Sequence, residues 1–336
     1  MIKCSPGKTS FCFALAFNLC FALLLTGVAN AQTFSKNDSS IYLADPAIFN
    51  NKGVYYLYGT VEQNVNNGFI AYTSTDLINW KITGNNNNGY VLSKGDAFGT
   101  GNFWAPQVFK NAGKILMAYA ADENIAIATS QQAGGPFLQK DKLPLKANVK
   151  QIDPFVFRDD DGKTYLYHVR LQEGNKIFVA EMEDDLSAIK PATLTECITA
   201  NEAWENTTNS PWPVAEGPTV LKHNNIYYLF YSANDFRNPN YAVGYATSES
   251  PYGPWKKYEG NPIISKKNIG VNGTGHGDFF LDKYDNLQYV FHTHFSDSKV
   301  WPRKTAIFAG SFIDTPGRQG FLINTTTFHY LFRNKL

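Results

Sequence analysis

The chain is short of cysteine, of clustered charge and of helix signals, and each shortage narrows what it can be. Of its four cysteines, Cys4, Cys12 and Cys20 fall within the first 31 residues. There Lys3 and Lys8 precede an apolar run from Phe11 to Leu25, and Ala29-Asn30-Ala31 follows. This is the layout of a secretory signal peptide, 1–31, with an A-x-A cleavage site. The run is shorter than the roughly 20 residues a membrane span needs, and Asn18 interrupts it, so cleavage is expected rather than anchoring. The exported chain, 32–336, would keep only Cys197 and could form no internal disulfide, leaving burial to stabilise it. No Gly/Ser-rich or Pro-rich linker divides it, so a single domain is expected, secreted or periplasmic. A net charge of +1 with 18% charged residues offers no basic field for nucleic acid and no membrane-binding run.

What is abundant is aromatic: 15% of residues are Phe, Trp or Tyr, suited to packing many strands and to offering flat faces to a sugar. They recur within a repeated pattern. The strings ADPAIFNNKGVYYLY, WAPQVFKNAGKILMAY, IDPFVFRDDDGKTYLYH, EGPTVLKHNNIYYLFY and GHGDFFLDKYDNLQYVFH begin at Ala44, Trp104, Ile152, Glu216 and Gly275. Each reads as a strand, a tight turn and a second strand, the turns being marked by pairs such as Lys52-Gly53, Ala112-Gly113 and Asn224-Asn225. Further strands near Ile70, Ile125, Ile177, Val243 and Ile307 complete each unit. A strand-built period of about 50–65 residues predicts an all-β, five-bladed β-propeller, in which equivalent blade positions meet at a central axis. The run Asp159-Asp160-Asp161-Gly162 occupies a hairpin turn and lacks the distal Glu of an EF-hand calcium loop. Asp159, Asp161 and Asp282 are therefore expected to be solvated turn residues.

The copies differ at their front edges. Asp45 and Asp153 stand immediately before Pro46 and Pro154, Glu216 stands one position earlier relative to Pro218, and Trp104 matches Glu216 in the second copy. His276 stands where the fifth copy would carry its proline. An acid before a proline is commonly a turn or strand cap. Three acids in matching slots of a repeat are better explained by chemistry, because glycoside hydrolysis needs one carboxyl to protonate the leaving oxygen and another to activate water or attack. A third carboxylate can raise the proton donor's pKa by repulsion. His168, His223, His292 and His294 are expected to be hydrogen-bonded structural residues. Residues 201–213, with Trp204 and Trp212, form an insertion that is either an ordinary loop or a wall of the cleft.

The succession of ADP, FWAP, IDPFVF with DDG, and EGP before a YYLFYS strand resembles glycoside hydrolase family 43. The resemblance covers essentially the whole exported chain. It implies inverting hydrolysis of arabinose- and xylose-containing poly- or oligosaccharides, with Asp45 as general base, Glu216 as general acid and Asp153 as the residue that tunes and orients the acid. It also implies that Trp104 and Arg303 contact substrate and that His276 could hold an axial calcium ion. A chain stopping at Leu336, without the appended β-sandwich of many xylosidases of that family, favours an α-L-arabinofuranosidase over a β-xylosidase or an arabinanase. A fructan-type hydrolase is disfavoured because Ala44 and Ile152 stand where such enzymes carry asparagine and arginine. A noncatalytic sugar-binding propeller is the rival from another class, disfavoured because all three acids are present.

Overall fold

The strands of the computed structural model fall into five antiparallel sheets, completed by one parallel pairing at the seam. The structure describes residues 39–83, 89–315 and 318–334; the signal peptide read over 1–31 lies outside them. The first blade contains β1 (Ala44–Asn51), β2 (Val54–Thr60), β3 (Gly68–Ser74) and β4 (Asn79–Ile82), with β5 (Tyr90–Ser93) pairing with β3. The second is β6 (Trp104–Asn111), β7 (Lys114–Ala121) and β8 (Asn124–Ser130). The third is β9 (Gln151–Arg158), β10 (Thr164–Leu171), β11 (Asn175–Glu181) and β12 (Thr195–Ile198). The fourth is β13 (Ala215–His223), β14 (Ile226–Ala233), β15 (Ala242–Ser248) and β16 (Lys256–Lys257). The fifth is β17 (Gly275–Leu281), β18 (Leu287–Thr293), β19 (Lys304–Thr315) and β20 (Arg318–Tyr330). The innermost strands touch in the ring order β1, β6, β9, β13, β17 and back to β1, which is the predicted five-bladed propeller.

Aromatic side chains fill the space between blades. Tyr58, Phe69, Phe103 and Tyr119 join the first blade to the second, while Tyr165, Tyr167, Tyr227 and Tyr231 join the third to the fourth. Burial of a phenol is tolerable when its hydroxyl finds a partner. Tyr58, Tyr119 and Tyr167 donate to the carbonyls of Ala133, Phe98 and Pro251 at 2.6–2.7 Å.

The predicted hairpins are present, with positive φ at Lys52, Ala112, Asn224, Asn225 and Asp285. Two readings change. Asp159 sits in its turn but is buried, because it points at the next blade and receives Lys222 Nζ at 2.6 Å and the Tyr227 hydroxyl. Asp282 is buried as well, accepting the backbone N–H groups of Tyr284 and Asn286 at 2.8 and 2.9 Å. Neither is solvated.

The second change concerns the blade fronts. Every innermost strand carries a bulge, and the residue at the bulge has positive φ: Asp45 (48°), Ala105 (47°), Asp153 (55°), Gly217 (59°) and His276 (28°). A bulge re-aims a side chain out of the strand's alternation. His276 thus takes the aspartate slot, with Gly277 in the proline slot, since Gly275 and Asp278 pair as Ala44 and Ala47 do. Gly217 must be glycine: its φ is left-handed and a Cβ there would lie 2.8 Å from the His276 ring. The fourth blade's acid is accordingly supplied from the preceding position, Glu216.

Candidate active site

Asp45, Trp104, Asp153, Glu216, His276 and Arg303 all line one cavity of about 600 Å³ at the front of the innermost strands. Bulge geometry explains the convergence: five equivalent positions are turned toward one axis, and three of them carry Asp45, Asp153 and His276.

Asp45 is the most heavily tethered acid. Its Oδ2 accepts from Thr60 Oγ1 at 2.7 Å, and Thr60 Oγ1 itself accepts from the Ala105 N–H at 3.0 Å. The amide holds the hydroxyl in place while its one proton points to the carboxylate. Asp45 Oδ1 accepts from Arg303 Nη1 at 3.1 Å and lies 3.5 Å from His276 Nδ1. Burial alone would raise the pKa of Asp45, but Arg303, His276 and Thr60 together hold it below the ordinary value.

Neither of the other two acids accepts a hydrogen bond from a cation. Asp153 Oδ2 accepts the Gly217 N–H at 3.1 Å and is 3.6 Å from His276 Nδ1. Burial and then the charge of Asp45 push it up to about 7. Glu216 accepts the Tyr241 hydroxyl on Oε1 at 2.8 Å and Asn175 Nδ2 on Oε2 at 2.9 Å. Burial and then Asp153 raise it to about 7, against the opposing pull of His276 and Tyr241. Because each opposes ionisation of the other, Asp153 and Glu216 titrate as a pair. One pocket therefore holds a carboxylate that stays ionised and a carboxyl that stays protonated over mildly acidic pH.

Arg303 reaches the site as expected, but most of its hydrogen-bonding capacity is committed to protein. Its Nε and backbone N–H meet the two oxygens of Glu62, each at 2.8 Å, and its Nη1 lies 3.1 Å from His292 Nε2. Burial and Arg303 keep the His292 ring neutral, and Tyr241 stacks on it with centroids 5.7 Å apart. The insertion at 201–213 divides: Trp212 lines the cavity, whereas Trp204 packs on Tyr231 in the core.

Glu62, Thr60, Asn175 and Tyr241 were not legible from the blade fronts, since they come from the end of β2 and from the starts of third strands. Extending the repeat alignment to those strands marks Asn175 as the polar residue that opens the third blade's third strand and Tyr241 as the one just before the fourth blade's. Among the described residues no group of three or more His, Cys, Asp or Glu side chains is arranged to hold a metal ion. His276 would offer one nitrogen to an ion that prefers oxygen ligands, so these side chains do not form a calcium cage, and water would have to fill the rest of the shell.

The model of the glycosyl hydrolases family 43 matches residues 39–314. A xylosidase/arabinosidase of Bacteroides ovatus is 27% identical, covering 79% of this chain and 90% of its own length. A β-D-galactofuranosidase of Aspergillus niger is 25% identical, covering 81% and 80%. Among solved structures, an endo-1,4-β-xylanase from Bacteroides thetaiotaomicron superposes with a TM-score of 0.82 at 41% identity, covering 90% of this chain and all of that one.

Proposed function

Because this chain belongs to glycosyl hydrolases family 43, a glycosidase acting on xylan- or arabinan-type substrates, we propose that it is an inverting α-L-arabinofuranosidase, exported by its N-terminal signal. Asp45 is the general base that takes a proton from the attacking water. Glu216 is the general acid that protonates the departing oxygen from the other side of the sugar, and Asp153 titrates with it, so that loss of a proton from one opposes its loss from the other. The observation that carries this reading is the split between Asp45, held ionised by Arg303, and Glu216, held protonated by burial beside Asp153. Two titratable groups pushed in opposite directions within one pocket are what acid–base chemistry requires.

Trp104 supplies a flat wall, and Arg303 supports the base while facing the sugar. One second reading is a β-xylosidase, since the Bacteroides ovatus protein is named a xylosidase/arabinosidase and the Bacteroides thetaiotaomicron structure an endo-1,4-β-xylanase. Paired assays with aryl α-L-arabinofuranoside and aryl β-D-xyloside separate the two, and arabinose release should dominate. NMR of the first-formed sugar should show inverted anomeric configuration; retention would remove water activation by Asp45. Asp45→Asn and Glu216→Gln should each cut kcat by about 1,000-fold or more while the chain still folds. Substantial turnover by either variant would sink its assigned role.

A further inference from the structure

The proton donor's contact with Asn175 is itself controlled by another residue. Asn175 Nδ2 donates to Glu216 Oε2 at 2.9 Å, and Asn175 Oδ1 accepts from Trp212 Nε1 at 2.8 Å. An indole N–H can only donate, so it can meet only the carbonyl side of the amide. The NH₂ side is thereby turned to Glu216. Trp212 is 46% exposed and lines the cavity, so the same ring borders the substrate space and holds the amide.

We infer that Trp212 and Asn175 form a positioning relay for the proton donor: the indole N–H locks the Asn175 amide with its NH₂ toward Glu216, and this donor anchors the carboxyl and limits how tightly it keeps its proton. The inference rests on the assignment of Glu216 as general acid. The other groups acting on Glu216 are known from every side. Asp153 on β9 and Asp45 on β1 oppose its ionisation, His276 on β17 favours it, and the Tyr241 hydroxyl donates to Oε1. Arg303 is committed to Asp45 and Glu62. Asn175 is thus the neutral donor on the remaining oxygen, and its orientation decides whether it favours the ionised or the protonated acid. With the indole N–H removed, the amide is free to turn and offer Oδ1 to the protonated carboxyl instead.

Two variants of the full chain test this. Trp212→Phe keeps a flat wall and removes the N–H; Asn175→Leu removes the donor while filling similar space. Two readouts are taken: the pH dependence of kcat/KM on an aryl pentoside, and the carbon-13 NMR titration of the Glu216 carboxyl, assigned by its loss in Glu216→Gln. The alkaline limb and the NMR midpoint should both move to higher pH, by about one unit for Asn175→Leu and less for Trp212→Phe. Unmoved midpoints overturn the relay, and a raised KM with an unmoved midpoint in Trp212→Phe reduces that residue to a wall. The variants change different residues, so a folding failure in one leaves the other to decide. If the wild-type chain cleaves no pentoside, the functional reading fails, while the NMR titration still decides the relay.

Discussion

At the scale of single residues, the site works by unequal treatment of chemically similar groups. Asp45 and Asp153 occupy equivalent bulges, yet Arg303 and Thr60 donate hydrogen bonds only to the first. The consequence for activity is directional. As the proposed base, Asp45 is ready at any pH above its lowered pKa, and as the proposed acid, Glu216 is ready only below its raised one, so kcat/KM should hold through mildly acidic pH and fall as pH rises through about 7. Stability has its own sign. A carboxyl whose folded pKa exceeds its unfolded value binds more protons in the folded state, so it subtracts stability as pH climbs from the unfolded to the folded pKa. Glu216→Gln removes that penalty; its Tm should exceed that of the wild type by about 2–5 °C at pH 8 and match it at pH 4, as calorimetry would show. An equal or lower Tm at pH 8 would mean that the acid is not held protonated by its surroundings. The meeting of Asp45, Asp153 and Glu216 at one cavity was legible because each stands one or two residues before a proline at a copy's front edge. Their ionisation was not, because Arg303 and Thr60 approach Asp45 through tertiary packing that has no local sequence signature.

At the scale of elements, the hairpins were legible and the bulges were not. Gly and Asn at the turns announce positive φ by their chemistry. At the blade fronts the same backbone conformation is adopted by Asp, Ala, Gly and His, so no one residue type marks it. The loop at 201–213 shows a similar division. Its C-terminal end brings Trp212 to the cavity, while its first half is fixed by Glu205, fully buried, which accepts from the backbone N–H groups of Asn201 and Glu202 and from Lys257 Nζ at 2.6–2.7 Å, and from the Tyr231 hydroxyl at 2.5 Å. Glu205→Ala would leave the Lys257 ammonium without a counter-charge, with only the Thr199 carbonyl and Asn201 Oδ1 as acceptors, and removing one member of a buried pair costs up to about 3–5 kcal/mol. Denaturant unfolding should report that loss, and KM should rise if the loop's first half supports the end that bears Trp212. A variant with unchanged stability would show that the loop is held by its other contacts.

At the scale of the whole molecule, five repeated units predict five blades but say nothing about how the ring is sealed, because the seal joins the first and fifth blades through segments outside the repeats. The Ile41 N–H donates to the Leu331 carbonyl at 2.9 Å, the Thr305 N–H donates to Ile41 at 3.1 Å, and the Leu331 N–H donates to Thr305 at 3.0 Å. Thr305 Oγ1 also donates to the Leu43 carbonyl and accepts its N–H, at 3.0 and 3.1 Å. A last strand, β21 (Phe332–Arg333), then runs parallel to β4 at the outer edge of the first blade. Residues before the first blade thus lie on the fifth, and residues after the fifth lie on the first. Such a two-way seam keeps the axis closed, and the site depends on it: Asp45 follows the entering segment directly, while its partner Arg303 lies just before Thr305. Leu331, fully buried among Ile41, Leu43, Tyr55 and Trp80, is the apolar anchor of the seam. Leu331→Ala should cost about 2–5 kcal/mol. Because the seam joins the two blades that supply base and cation, kcat should fall along with the unfolding midpoint. A loss of stability with kcat intact at a temperature where the chain remains folded would show that the Asp45–Arg303 pair is held by its own hydrogen bonds and not by closure of the ring.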